Sequence, residues 1–298
     1  MIVSEVAPEH FDALLGTSGI RIETGPFAFR ITSLVPELAA PLRLLYADFP
    51  ATQEGFIDFH LVLRPLGLLG LVRGGAEILI DGRRVFGTFP RRAALPHTEW
   101  ALNWWVYCHA HRFLIVHAAV VDRAGQAVLL SAPPGSGKST LCAALVARGW
   151  RLLSDELALI RPEDGRLRAI ARPISLKNES IEVMTRFAPE SVIGPKTKNT
   201  QKGTVAHLRA PTDSVSRIDE TSKPRWIVIP KYQSGTSTQL TPVPKARAFM
   251  ELALNAFNYQ IMGAQGFETL ADTIDACSCY ELVYSDLDEA IAALADLQ

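Results

Sequence analysis

The segment Ala132–Thr140 (APPGSGKST) carries the densest chemical signal in this sequence. Gly135 and Gly137 allow a backbone path on which successive N–H groups point at one spot. A strand-like run, Ala127–Ser131, leads in, and a helix-like run, Lys138–Arg148, leads out. The positive N-terminal end of that helix favours an anion in front of it. Lys138 brings a flexible cation suited to β and γ phosphates, and the Ser139 hydroxyl stands where Mg²⁺ is ligated in such loops. Pro134, Ser136 and Thr140 complete the cradle. The expected ligands are therefore a nucleoside triphosphate and Mg²⁺. Ala132 departs from the usual pattern, which has its first glycine there, and a negative φ lets alanine serve. The alternative is a strand-to-helix turn with an incidental Lys-Ser pair.

The next element matters as much. Gly149 suits the position just past a helix end. Trp150–Ser154 reads as a second strand ending in Asp155-Glu156. Carboxylates at the C-terminal end of a parallel strand beside such a loop reach the metal and the γ phosphate. One can hold Mg²⁺ while the other takes a proton from an attacking hydroxyl. A solvated acidic turn is the competing reading. Arg172 and Lys177 flank the strand-like Pro173–Leu176 and would neutralise triphosphate or substrate charge, unless they are surface charge. Ser191–Gly203 is polar, rich in Lys, Gly and Thr, and reads as a mobile loop. Its Lys196, Lys198 and Lys202 would close over the phosphates, Lys202 being the first to test.

This arrangement resembles the nucleotide-binding core of HPr kinase/phosphorylase. Val116-His117-Ala118 precedes the glycine loop by a short hairpin turn at Asp122–Gly125, one helix follows, and the acidic pair comes at once. Arg172–Lys177 and Lys202–His207 look like the branch called HPr-kinase-related kinase A. The resemblance covers roughly residues 113–210. It implies an α/β P-loop kinase core of the HPr kinase/PEP carboxykinase-like type, preceded by an N-terminal α+β module. It further implies Asp155 as catalytic base, with Ser139 and Glu156 at metal-binding positions and His117 near the phosphates. Glu156 departs from the family's second aspartate. His117 has a plainer alternative, a core histidine on a buried strand.

The elements that must position these groups follow from the rest of the chain. Its 298 residues suggest about two domains, 1–112 and 113–298. The net charge of −1 offers no nucleic-acid surface. The cysteines Cys108, Cys142, Cys277 and Cys279 lack disulfide or zinc-ribbon spacing, which points to a reducing cytoplasm. No signal peptide or membrane-spanning run is apparent. In the first segment, short strands are expected within Ile20–Ser33, a helix over Glu37–Asp48, and a strand over Phe56–Arg64. A hairpin turns at Asp81-Gly82, and a packing helix covers Thr98–Arg112. Cys108, His109 and His111 point in different directions on that helix and make a poor zinc site. Later, strands are expected over Leu157–Arg161, Leu167–Ala171, Thr204–Leu208, Trp226–Pro230, Thr236–Leu240 and Cys279–Tyr284. Helices are expected over Glu179–Phe187 and Lys245–Tyr259, with one more after a capping box at Ser285–Asp288.

These features together describe a cytoplasmic kinase that uses ATP and Mg²⁺. Its expected substrate is a peptide or protein serine, with no nucleic acid or membrane partner and a plausible homo-oligomeric state. A small-molecule kinase and a non-catalytic ATP-binding regulatory module are the alternatives.

Overall fold

The structure, a computed structural model, describes residues 1–67 and 74–297. Helix α1 (Pro8–Gly16) starts with proline at its first position, where the missing N–H costs nothing. Strands β1 (Ile20–Thr24) and β2 (Phe27–Ser33) follow, joined at Gly25-Pro26. Helix α2 (Ala39–Leu45) is shorter than the sequence suggests because a 3₁₀ turn, Pro36–Leu38, takes its first residues. Strands β3 (Ala51–Thr52), β4 (Phe59–Pro65), β5 (Gly75–Ile80), β6 (Arg83–Arg84) and β7 (Phe89–Pro90) complete a mixed sheet ordered β3-β1-β2-β4-β5-β6, with β7 on β5. The β5–β6 turn has positive φ at both Asp81 and Gly82, 47° and 77°, as a tight hairpin requires. Helix α3 (Ala94–His109) begins a turn earlier than expected.

Then come β8 (Leu114–Val116), β9 (Ala119–Arg123), β10 (Gln126–Leu130), α4 (Lys138–Ala147), β11 (Arg151–Ser154), β12 (Ala158–Ile160), β13 (Leu167–Arg168), β14 (Ile174–Lys177) and α5 (Glu179–Phe187). The remaining elements are β15 (Thr197–Thr200), β16 (Gly203–Leu208), α6 (Thr212–Ser216), β17 (Lys223–Tyr232), β18 (Gln239–Pro242), α7 (Lys245–Leu254), α8 (Tyr259–Met262), α9 (Ala264–Ala276), β19 (Ser278–Tyr284) and α10 (Leu287–Ala295).

The central sheet is ordered β11-β9-β10-β17-β19-β18. Strands β10, β17 and β19 are parallel, and β9 lies antiparallel between β10 and β11. The glycine-loop strand and the acidic strand therefore run the same way but are not neighbours. Apolar residues fill β10 and the middle of β17, as strands covered on both faces require. Two further three-stranded sheets are ordered β13-β12-β8 and β14-β16-β15.

Three expectations need correction. Ser191–Gly203 is not simply a loop: Thr197–Thr200 pairs with β16. The turn is Gln201-Lys202, with positive φ on either side at Asn199 and Gly203, 59° and 82°, and Asn178 Oδ1 accepts from Thr204 N–H at 3.0 Å. The helix from Lys245 stops at Leu254. Helix α9 went unread because Gly263 and Gly266 interrupt a pattern that nonetheless buries Leu270 and Ile274 at i, i+4 spacing. At the last helix, the Asp286 side chain caps the N-terminus by accepting from Glu289 N–H at 2.9 Å.

The main buried cluster runs from Val3 to Leu294, joining residues on both sides of Arg112. A smaller one, including Phe27, Val106, Phe113, Leu157 and Ile170, spans the same junction. Among the described residues no helix is long and apolar enough to cross a membrane.

Candidate active site

The loop between β10 and α4 turns on Gly135 and Gly137, at φ 88° and 90°. Ala132 is not among the positive-φ residues, so it fills the first position without strain. Gly137 is the residue before α4, whose first N–H groups have no partner within the helix and face the loop. The loop is held from behind. Tyr284 Oη donates to Gly137 O at 3.2 Å, and Tyr232 N–H donates to Ser136 O at 2.9 Å. A Cβ on Gly137 would collide with the Tyr284 hydroxyl and lie 3.0 Å from Tyr232 Cβ, whereas one on Gly135 would meet open space. Lys138 is buried, and its Nζ donates to His117 O at 3.4 Å. Burial pulls its pKa below the usual lysine value, against the pull of Asp155 and Glu156.

The acidic pair stands across from this loop. With β9 intervening, β10 and β11 are two strand spacings apart, about 10 Å. Ser154 Oγ accepts from the N–H groups of Glu156 and Leu157, at 3.3 and 3.0 Å, and so folds the turn that presents both carboxylates. Ser175 N–H on β14 donates to Asp155 Oδ2 at 3.1 Å. The other oxygen, Oδ1, is buried without a protein partner. Burial, then the Glu156 charge, raises the Asp155 pKa to about 6; Lys138, the Ser175 amide and the Ser139 hydroxyl oppose the rise. Asp155 therefore senses both Lys138 and Ser139 of the loop. Burial also works to raise Glu156, but Lys177, Lys202, His117 and Lys138 outweigh it and hold it below the usual carboxylate range. Lys177 Nζ is 3.9 Å from Glu156 Oε1.

His117 lies beside Lys138, whose Nζ reaches its carbonyl. Burial and the Lys138 charge push its pKa down to about 4, so it is neutral at pH 7. Its ring packs 5.8 Å from Phe257. Lys202 Nζ sits 4.9 Å over the Trp100 ring. Lys196 is drawn away to an exposed pair with Glu182. Arg172, expected at the phosphates, is engaged instead by Glu99, with Nη1 3.2 Å from Oε2, and by Asn103. Tyr46 Oη donates to the other Glu99 oxygen at 2.7 Å. Both partners of the Glu99–Arg172 pair are buried, so the network ties α3 and the first sheet's helices to the pocket wall.

Sequence reasoning missed this wall. Glu99, Trp100 and Asn103 on α3, with His207 on β16, line one pocket together with Asp155 and Glu156. A signal was present: Glu99 and Asn103 are polar groups at i, i+4 on a helix whose buried residues are mostly apolar, a pattern of polar residues that need partners. His207 is fully buried, and burial pushes its pKa to about 4.

A nucleoside triphosphate with Mg²⁺ fits these residues. The buried Ser136 Oγ and Asp155 Oδ1 lack partners, and Gly135 faces open space in the loop before α4. Among the described residues no cluster of three or more His, Cys, Asp and Glu would hold a metal unaided. Two carboxylates and a hydroxyl instead suit Mg²⁺, which keeps waters and phosphate oxygens in its shell.

The chain matches the family described as "SynChlorMet cassette protein ScmC" over residues 95–176, under half its length. That span begins in α3 and ends in β14, so it contains the glycine loop, the acidic pair and the pocket wall except His207. The matching family is not the kinase A branch that the sequence resembles. Among solved structures the chain is similar to "Structure of the Hpr(Ser) kinase/phosphatase from Coxiella burnetii", at 11% identity, covering 61% of this chain and 95% of that one. The TM-score is 0.25, too low to carry an argument. No curated protein matches the chain.

Proposed function

We propose that this protein is a kinase that uses ATP and Mg²⁺ to phosphorylate a hydroxyl group. The observation that carries this reading is Asp155: one oxygen is fixed by the Ser175 amide, and the other is buried, unpartnered and within the field of Lys138 and Ser139. A carboxylate with a pKa of about 6 is ionised at pH 7.5 yet more basic than an ordinary aspartate. The loop amides and Lys138 bind and orient the phosphates of ATP. Asp155 accepts the acceptor's O–H proton as the oxygen attacks the γ phosphorus. The bond to the β–γ bridging oxygen breaks, and ADP leaves. Such transfer needs mainly positioning and charge neutralisation. Ser139, Glu156 and Asp155 would hold Mg²⁺, which supplies charge neutralisation on the phosphates. Neutral His117 keeps Lys138 in place through its carbonyl and adds no competing charge. The cytoplasm, where the four free thiols stay reduced, is the proposed compartment.

The test is Asp155→Asn. Transfer should fall by about 10²–10⁴-fold, the range for losing a general base, while ATP binding persists. An unchanged ATP-dependent response in that variant would instead favour a regulatory nucleotide-binding module.

A further inference from the structure

We propose that Asn178 is a positioning residue that sets Lys177 and Lys202 on the γ phosphate, and so makes the site prefer ATP to ADP. This rests on the kinase reading above. Asn178 stands at φ 52° and ψ −122°, a backbone region that glycine enters freely and other residues do not. Strain of this kind persists only where the surroundings hold it, and it gathers at working sites. Asparagine before a helix ordinarily caps it, yet the Asn178 side chain makes no capping bond to α5. It reaches across to β16 instead. Its Oδ1 accepts from Thr204 N–H at 3.0 Å, and Asn178 N–H donates to Thr204 O at 2.8 Å. Gly203 makes room for it, since a Cβ there would collide with Oδ1.

This clasp joins the end of β14 to the turn between β15 and β16. Each side carries a lysine whose main chain is held by a hydroxyl. Lys177 N–H donates to Ser180 Oγ at 2.7 Å, and that hydroxyl donates back to Lys177 O at 2.7 Å. Lys202 N–H donates to Thr200 Oγ1 at 3.0 Å, which in turn donates to Gly203 O at 2.8 Å. Both cations converge on Glu156. Lys177 Nζ is 3.9 Å from Glu156 Oε1, and Lys202, lying over Trp100, is the next charge acting on that carboxylate. Lys138 feels the same two carboxylates and is repelled by Lys177. Arg172, the other cation nearby, is taken by Glu99. Three lysines thus meet the Asp155 and Glu156 carboxylates, and the surplus positive charge suits a phosphoryl group brought in beside them. The loop amides and Lys138 serve ATP and ADP alike through the β phosphate. The γ phosphate, which ADP lacks, is left for Lys177 and Lys202 to meet.

The experiment titrates the full-length protein with ATP and with ADP, each with Mg²⁺ and no acceptor, by isothermal calorimetry. Wild type should bind ATP about tenfold or more tightly than ADP, the size expected from one charge-assisted hydrogen bond. Asn178→Gly takes up the same backbone without strain but loses the side-chain clasp. It should melt within about 3 °C of wild type. It should bind ADP within about twofold of wild type, while its preference for ATP falls to about threefold or less. Lys202→Gln should do the same, and the double variant should lose little beyond either single change. A residue with only a structural role would weaken both nucleotides alike, and that pattern overturns the proposal. So does either single variant that keeps the full preference for ATP, or a wild type that does not discriminate. A wild type that binds neither nucleotide overturns the kinase reading itself.

Discussion

Removing the charge at Asp155 should make the nucleotide-free protein more stable while it destroys activity. The carboxyl is 5% exposed, and its pKa is about 6 against an ordinary 3.8, mainly through burial and then through Glu156. The shift of about two pKa units corresponds to about 3 kcal/mol. Below pH 3.8 the carboxyl is protonated in both folded and unfolded chains, and the shift has no effect. Between 3.8 and 6 the folded chain holds a proton that the unfolded chain has lost. Above 6 both are ionised and the full penalty bears on the folded state. Asp155→Asn keeps an oxygen for the Ser175 N–H and carries no charge. Its melting temperature without nucleotide or Mg²⁺ should exceed the wild type's at pH 8 by roughly 5 °C, and by little at pH 4.5. Saturating Mg²⁺-ATP should reverse the order, because the charge then has a partner. Calorimetry at the two pH values is the assay. An equal gain at both, or none at pH 8, would refute the claim that a strained charge sits at this position.

Other substitutions test other parts of the structure. Gly137→Ala should weaken ATP binding more than tenfold in a titration, because φ is 90° and the new methyl meets Tyr284. Gly135→Ala, with the same φ but open space, should cost only about 1–2 kcal/mol of stability by denaturant unfolding. Arg151→Met leaves the buried Asp122 carboxylate, 3.4 Å from the Arg151 Nε, without its partner; urea unfolding should show a loss of about 3–5 kcal/mol. His207, held neutral with a pKa near 4, is uncharged in the folded chain while the unfolded chain protonates near 6.5. Its contribution is therefore full above pH 6.5 and is lost as pH falls toward 4, a swing of about 3 kcal/mol. His207→Leu should accordingly move the acid-unfolding midpoint, followed by circular dichroism, to lower pH.

The site's two ends were legible for different reasons. Gly135, Gly137, Lys138 and Ser139 form a local code: a strand, a turn that needs positive φ, and a helix start, all within one short segment. Asp155 and Glu156 were legible because a strand-like run ends at them. Arg172 misled because charge near a phosphate loop looks like phosphate charge, and nothing in its neighbourhood reveals Glu99, far back in the chain. The first arm of the hairpin, Thr197–Thr200, reads as loop because its polar residues lack alternation, although it pairs with β16, the strand beside β14.

The sequence alone determined the glycine loop, the carboxylate pair, the Asp81-Gly82 turn and the buried β10 and β17, since each depends on neighbours a few residues away. Only the tertiary structure decided that β9 separates the two active strands, that α3 walls the pocket, and that Tyr46, Glu99 and Arg172 join. It also brought His207 to the same cavity. Those outcomes depend on burial, which removes water as a hydrogen-bond partner and forces distant polar groups to find one another.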